Sequence, residues 1–220
     1  MNGLMKIGGA AILVIGAFFL FKYGFSSDSD ATGSINSALT DVTEQDWVKG
    51  SADAPVTLVE YTDFQCPACG AYYPIVKQLI DEKSDQLRLV VRQYPLIQIH
   101  KNALTGARAS EAAGKQGKFW EMYDLLFTNQ AEWSNADDPM KSIIPSYAGR
   151  IGLDIERFRK DMTDQAIDDK ITHDRKTGDD LKITGTPSFF LNGKQVELKN
   201  IRSFDDFKKI VEKAIADSQK

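Results

Sequence analysis

The chain has 220 residues, of which 42% are hydrophobic, and a formal net charge of −4 at pH 7. This length and hydrophobic content suffice for one sizeable core, or for a core with an inserted subdomain. The charges are spread along the chain without a basic block, which argues against nucleic acid as the partner.

The N-terminal segment, residues 1–25, predicts a membrane signal-anchor. Its uncharged run from 7 to 21 is short for a bilayer, but Lys22 can reach the interface through its aliphatic stem, which lets the whole segment span. Lys6 precedes the run and acidic residues follow it, so we expect a cytoplasmic start and an exported remainder. The alternative is a signal peptide cleaved near residue 31, which would leave a secreted protein.

Residues 26–46 are rich in Ser, Asp, Thr, Gly and Asn and predict a flexible linker. A folded domain is predicted from residue 47 to the C-terminus. Its first predicted element is a buried strand at 56–61, in which Glu60 is the one acidic residue.

Cys66 and Cys69 are the only cysteines, and they lie at the start of a helix predicted to continue to about residue 84. Pro67 suits the first helical position, where a missing N–H is tolerated. A thiol at a helix N-terminus has a lowered pKa, because unpaired N–H groups and the helix dipole favour the thiolate. The thiolate is the form that attacks disulfides, so this spacing predicts thiol–disulfide exchange.

The cysteine pair has two other interpretations, a zinc site and a structural disulfide. Zinc usually takes four ligands, and the two histidines, His100 and His173, are far from the cysteines and unpaired in the sequence. A structural disulfide across two residues would constrain almost no chain. We therefore expect redox chemistry, with neither a metal nor a bound cofactor.

The remaining elements complete an α/β pattern. A second strand at 87–94 should pair in parallel with the first, because a helix connects them. From about 100 to 182 the signals are helical, and an aromatic stripe at 119–127 is interpreted as core. A strand at 186–191, a hairpin turn at Asn192-Gly193, a returning strand at 195–198 and a helix at 204–216 close the chain.

The motif Cys66-Pro67-Ala68-Cys69, followed after a helical block by Gly185-Thr186-Pro187-Ser-Phe-Phe, resembles DsbA-type proteins of the thioredoxin superfamily. It most resembles the membrane-anchored, BdbD-like thiol–disulfide oxidoreductases, over residue 47 to the C-terminus. The resemblance implies the fold class, which is an α/β thioredoxin fold with an inserted helical subdomain.

The same resemblance implies roles for particular residues. Cys66 corresponds to the exposed nucleophile, Cys69 to the buried resolving thiol, and Thr186-Pro187 to a threonine and cis-proline that face the cysteines. Pro67 and Ala68, with Thr186 and Pro187, are expected to contact substrate. An exposed Thr186 backbone would let an extended substrate add as a strand.

Glu60 matches a buried carboxylate that the family places beneath the second thiol. Burial would raise its pKa and let it exchange a proton with Cys69. The alternative is a Glu60 that faces solvent from an edge strand. Ala68 departs from the best-known DsbA motifs, which have a histidine there; losing that cation should make Cys66 less acidic and the disulfide less oxidising.

The resemblance implies an exported, membrane-anchored enzyme that introduces disulfides into reduced secreted proteins. Because the chain has no third cysteine, it would need an external oxidant, by analogy a quinone-linked membrane protein of the DsbB type. A reductase or isomerase with the same residues, and a non-catalytic, chaperone-like client-binding domain, are the alternatives.

Overall fold

A computed structural model of the protein describes residues 42–220. The predicted signal-anchor and most of the predicted linker lie outside the described residues. The described strands are β1 Trp47–Lys49, β2 Val56–Thr62, β3 Leu87–Gln93, β4 Ser188–Leu191 and β5 Lys194–Val196. The described helices are α1 Pro67–Lys83, α2 Ala103–Gly114, α3 Phe119–Thr128, α4 Gln130–Ser134, α5 Ile143–Arg150, α6 Ile155–Asp161, α7 Gln165–Asp180 and α8 Phe204–Ser218.

These strands form one sheet in the order β1-β3-β2-β4-β5. The β2–α1–β3 unit is parallel, as predicted, with Val56 opposite Leu87 and Thr62 opposite Gln93. The other pairs are antiparallel. β2, which leads directly into the cysteines, is therefore the central strand, and both of its edges are hydrogen-bonded.

Burial on both faces explains why β2 reads as a nearly continuous apolar run. Leu58 points into a large core formed with α1, the inserted helices and α8, whereas Val59 and Tyr61 pack into a smaller cluster on the opposite face. The predicted core stripe of α3 is confirmed by five buried residues: Phe119, Met122, Tyr123, Leu126 and Phe127.

In chain order, helices α2 to α7 all follow β3 and precede β4. This order confirms the thioredoxin fold with a helical insertion. Polar side chains fix where two of them begin. Asp154 accepts a hydrogen bond from the Arg157 N–H at the start of α6, and Asp164 accepts one from the Ala166 N–H at the start of α7. Such caps satisfy N–H groups that have no partner within the helix.

The structure differs from the sequence-based expectations at three of its strands. The strand predicted from residue 186 begins at Ser188, because the preceding residues turn towards the cysteines instead of joining the sheet. The returning strand is Lys194–Val196 rather than 195–198, since a 3-10 turn at Leu198–Asn200 ends it. The short edge strand β1 was not predicted.

Residues 42–46, which composition placed in the linker, form a turn against the domain. The Asp46 carboxylate accepts hydrogen bonds from the Thr43 N–H and from Arg92, and its side chain is only 5% exposed. Within the described part of the chain, no helix has both the length and the apolar content that a membrane span requires.

Candidate active site

Cys66 and Cys69 lie at the N-terminus of α1. Cys66 is the N-cap, with extended backbone angles, and Pro67 occupies the first helical position. The Gly70 N–H donates to the Cys66 carbonyl oxygen and closes the first turn around the pair. Pro67 and Ala68 are exposed at the surface, where the predicted substrate contacts would form.

The two thiols differ in accessibility, although less than expected. Cys69 is fully buried, and Cys66 is 7% exposed. The prediction that Cys66 is an exposed nucleophile is therefore wrong, since its side chain is buried and its sulfur lies against the Thr186 carbonyl oxygen. Cys66 remains the more accessible of the two.

The Thr186–Pro187 peptide bond is cis, as the resemblance implied, and it faces the nucleophile. The Cys66 Sγ donates to the Thr186 carbonyl oxygen at 3.3 Å. Thr186 is only 8% exposed, so its backbone is less available to a substrate than expected. A cavity of about 300 Å³ adjoins this turn, lined by residues 184–188 and 195–199.

The environments of the two sulfurs shift their pKa values in opposite directions. Hydrogen bonding from the Cys69 thiol, and from the N–H groups of Cys69 and Ala68, lowers the pKa of Cys66 to about 5, against the opposing effect of burial. Burial first, and then the neighbouring Cys66, raise the pKa of Cys69 well above its ordinary value. The Cys66 thiol therefore gives up its proton more readily than the Cys69 thiol.

Glu60 is 1% exposed and lies on the central strand β2, which excludes the alternative of a solvent-facing edge position. The Tyr123 hydroxyl donates to Glu60 Oε2 at 3.2 Å. Burial raises the pKa of Glu60 to about 7, and the hydrogen bond from Tyr123 opposes that shift. The Glu60 charge in turn contributes to the raised pKa of Cys69, so the two groups are electrostatically linked.

The sequence interpretation missed Asp63 and His100. The Asp63 side chain is fully buried three residues before Cys66, and its Oδ2 lies 2.6 Å from His100 Nδ1. His100 is therefore neither distant nor unpaired, and that expectation is wrong. Thirty-seven residues separate the two, and no local pattern signals their contact.

Gln130, at the start of α4, is a second missed residue. Its Nε2 donates to the carbonyl oxygens of Phe64 and Cys66, at 2.8 and 2.9 Å. Gly70 makes room for this contact, because a Cβ atom at that position would lie 2.6 Å from Gln130 Oε1. The helical insertion thus contacts the backbone of the active-site turn directly.

A thioredoxin family model matches residues 42–213, a range that includes both cysteines, Glu60 and the cis-proline. The chain belongs to the thioredoxin family. Within that family it has the DsbA-type fold that the sequence motifs implied.

Solved structures of DsbA-like proteins share this fold. The α-DsbA1 protein of Wolbachia pipientis superimposes with a TM-score of 0.70 at 19% identity, covering 83% of this chain and 97% of that one. Oxidised BdbD from Bacillus subtilis gives 0.65 at 24% identity, covering 78% and 94%. The catalytic domain of ScsC from Proteus mirabilis gives 0.68 at 19% identity, covering 84% and 97%.

Curated relatives with higher sequence identity to this chain than these solved structures are named Na⁺/H⁺ antiporters rather than DsbA-like proteins. Na⁺/H⁺ antiporter NhaA 1 of Salinispora arenicola is 42% identical over 152 residues, which cover 69% of this chain but 22% of that protein. NhaA of Herminiimonas arsenicoxydans is 35% identical over 153 residues, covering 70% and 23%. The chain spans less than a quarter of the length of these relatives, so the match concerns one segment of each.

Proposed function

We propose that this protein is a thiol:disulfide oxidoreductase that oxidises pairs of cysteines in reduced, exported proteins. The observation that supports this most directly is the asymmetry of the two thiols. The pKa of Cys66 is lowered to about 5, whereas that of the buried Cys69 is raised. A stabilised Cys66 thiolate stabilises the reduced protein, and a protein whose reduced form is stabilised gives its disulfide away readily.

The reaction uses the two sulfurs in sequence. A client thiolate attacks Sγ of Cys66 in the Cys66–Cys69 disulfide, and Cys69 leaves as a thiolate that takes up a proton. A second client thiolate then attacks the client sulfur of the mixed disulfide and expels Cys66. The client loses two electrons and gains a disulfide, and the protein gains both electrons as a dithiol. The low pKa of Cys66 makes it the better leaving group in the second step.

We assign to Glu60 the transfer of the proton that Cys69 gains or loses. Its pKa of about 7 lets it hold or release a proton near neutral pH, and its charge acts on Cys69. Pro67 and Ala68 are exposed beside Cys66, and the cavity next to Pro187 offers room for an extended client segment. We assign these residues, with Thr186, to substrate contact.

The cellular setting is part of the same proposal. Residues 1–25 would anchor the protein in the membrane, and the redox domain would lie outside the cytoplasm. Of the linker predicted at 26–46, the part before residue 42 would connect the two, since residues 42–46 pack against the domain. The chain contains only two cysteines, so reoxidation requires an outside oxidant, for which we propose a quinone-linked membrane protein of the DsbB type. Export suits this chemistry because disulfides persist outside the cytosol.

The test is a single-turnover reaction between the oxidised full-length protein, purified in detergent, and a reduced unfolded peptide with two cysteines. We expect one peptide disulfide for each protein disulfide consumed, measured by mass spectrometry after alkylation. Cys66→Ser should abolish transfer. Cys69→Ser, loaded at Cys66 with a peptide that has a single cysteine, should retain the mixed disulfide, because neither a second client thiol nor the Cys69 thiol is present to break it.

A reductase would give the reverse result. If the oxidised protein left the peptide reduced, while the dithiol form reduced a peptide disulfide completely, the oxidase assignment would be wrong. Faster alkylation of Cys69 than of Cys66 in the reduced protein would contradict the roles assigned to the two cysteines.

A further inference from the structure

Asp63 connects the active-site turn to the segment that follows β3. Its Oδ1 accepts a hydrogen bond from the Gln65 N–H at 2.8 Å, and its Oδ2 accepts one from the Leu96 N–H at 3.0 Å. His100 Nδ1 lies 2.6 Å from the same Oδ2. A carboxylate only accepts hydrogen bonds, so the histidine ring is the donor in this contact.

The backbone of Asp63 contacts both cysteines. Its carbonyl oxygen accepts the Cys66 N–H at 3.0 Å. Hydrogen bonding from its own N–H opposes the rise that burial causes in the pKa of Cys69. One residue therefore contacts Cys66 and Cys69 through its main chain and the 96–100 segment through its side chain.

The partner segment is itself well fixed. The His100 and Ile99 N–H groups both donate to the Leu96 carbonyl oxygen, which closes a turn that holds the His100 ring in place. A second hydrogen bond joins the same two segments, because the Asn102 N–H donates to Gln65 Oε1 at 2.6 Å. The residues that lead into Cys66 are thus joined to this turn at Asp63 and again at Gln65.

We propose that Asp63 and His100 form a positioning pair, which holds the turn before Cys66 so that its main chain can support the reactive thiolate. The inference rests on the proposed thiol–disulfide exchange and adds two residues to it, neither of which touches the reacting sulfur through its side chain. This chain has Ala68 where DsbA-type motifs have a histidine between the cysteines. Here a histidine acts from outside the motif, through hydrogen bonding rather than through direct contact with the thiolate.

Loss of the pair has a defined consequence. His100→Ala leaves the buried Asp63 carboxylate with only its two main-chain donors, so the turn loses its side-chain link to residue 100. Cys66 then fits less well at the N-cap, and its thiolate receives weaker hydrogen bonds. We expect the equilibrium with glutathione to shift about threefold to tenfold towards the protein disulfide, the range that the net contribution of one hydrogen bond supports.

The experiment compares full-length protein carrying His100→Ala, His100→Asn or the matched control His173→Ala, which changes the exposed histidine of α7. The readouts are the glutathione equilibrium constant and the pH midpoint of Cys66 alkylation. For His100→Ala we expect a less oxidising equilibrium and a higher midpoint. His100→Asn should recover most of both, because its amide N–H can occupy the place of Nδ1. His173→Ala should match the wild type.

Two results would overturn the proposal. One is a folded His100→Ala protein with a wild-type glutathione equilibrium and alkylation profile. The other is a His100→Asn protein as impaired as His100→Ala, which would show that the hydrogen bond is not what matters. Should His100→Ala fail to fold, Asp63→Asn tests the same pair, and wild-type values in that variant would also overturn it. Neither readout requires client oxidation, so a wild-type protein that oxidises no peptide would refute the proposed function separately.

Discussion

At the scale of single residues, the chemistry depends on where each ionisable group is buried. Cys66 and Cys69 are separated by two residues, yet their pKa values move in opposite directions because one sulfur receives hydrogen bonds and the other is enclosed. Glu60 is enclosed as well, with the Tyr123 hydroxyl as its hydrogen-bond donor. A buried carboxyl group of this kind makes the stability of the protein depend on pH.

Glu60→Gln should remove that dependence. The pKa of Glu60 is raised from 4.5 to about 7 in the folded protein, so between these values the unfolded chain binds fewer protons and the free energy of unfolding falls as pH rises. Relative to the wild type, the variant should therefore gain about 2 kcal/mol between about pH 5 and pH 8. Urea denaturation of the reduced protein at both pH values measures this gain.

An equal stability difference between Glu60→Gln and wild type at both pH values would contradict the raised pKa. Client turnover gives a second readout from the same variant. A glutamine cannot exchange a proton with Cys69, so turnover should slow while the fold is retained. Unchanged turnover would exclude the proton-transfer role and leave Glu60 as a structural group.

At the scale of secondary-structure elements, the active-site turn is held by segments far from it in sequence. Cys66 is the N-cap of helix α1. The turn before β4 contributes the Thr186 carbonyl oxygen, which faces the Cys66 thiol. Helix α4 contributes Gln130, whose amide donates to two carbonyl oxygens of the turn. The helical insertion therefore supports the site as well as adding to the core.

Gln130→Ala should destabilise the protein, because the carbonyl oxygens of Phe64 and Cys66 lose their shared donor. The Cys66 carbonyl oxygen keeps the Gly70 N–H as a donor, whereas the Phe64 carbonyl oxygen keeps none among the described contacts. We expect the free energy of unfolding to fall by about 1–3 kcal/mol, the cost of leaving one such group unsatisfied. The measurement is urea denaturation at neutral pH. Gln78→Ala is the matched control: Gln78 is exposed on α1 and bonds only to the side chain of Glu82 among the described contacts, so its loss should change stability by less than about 0.5 kcal/mol. Equal effects of the two substitutions would contradict the tethering role of α4.

At the scale of the whole molecule, the redox state of the cysteine pair and the stability of the fold are linked. The reduced protein contains the Cys66 thiolate together with the hydrogen bonds that stabilise it, and the disulfide form has no thiolate. A lowered folded-state pKa contributes stability that is present above the unfolded pKa and is lost as pH falls through about 5.

The reduced form should therefore melt at a higher temperature than the oxidised form, and this advantage should be larger near about pH 8 than near about pH 5. Paired thermal denaturation of the full-length protein in both redox states tests the prediction, with a Cys66→Ser/Cys69→Ser variant as the control that has no redox state. A clearly more stable oxidised form at about pH 8 would indicate a thioredoxin-like reductase.

Elements whose causes are local can be predicted from the amino-acid sequence alone. The β2–α1–β3 unit follows from hydrophobic periodicity and a proline at the first helical position, and the start of α6 follows from Asp154 as its cap. Two cysteines at a helix start predict thiol–disulfide exchange from local sequence as well, because the N–H groups that stabilise the thiolate belong to the adjacent helical turn. The motif around Pro187 added the fold class through its resemblance to known proteins.

Contacts between groups that are distant in the sequence depend on how the chain packs. β1 is three residues long and pairs with residues at least forty positions further along the chain, in β3, so no local pattern predicted it. The contacts of Asp63 with His100 and of Cys66 with Gln130 join residues 37 and 64 positions apart. Periodicity and capping depend on neighbours along the chain, whereas these contacts arise when the packed sheet and helices bring separate segments together. The sequence could therefore predict the reactive thiols, but the groups that position them became visible only in the folded chain.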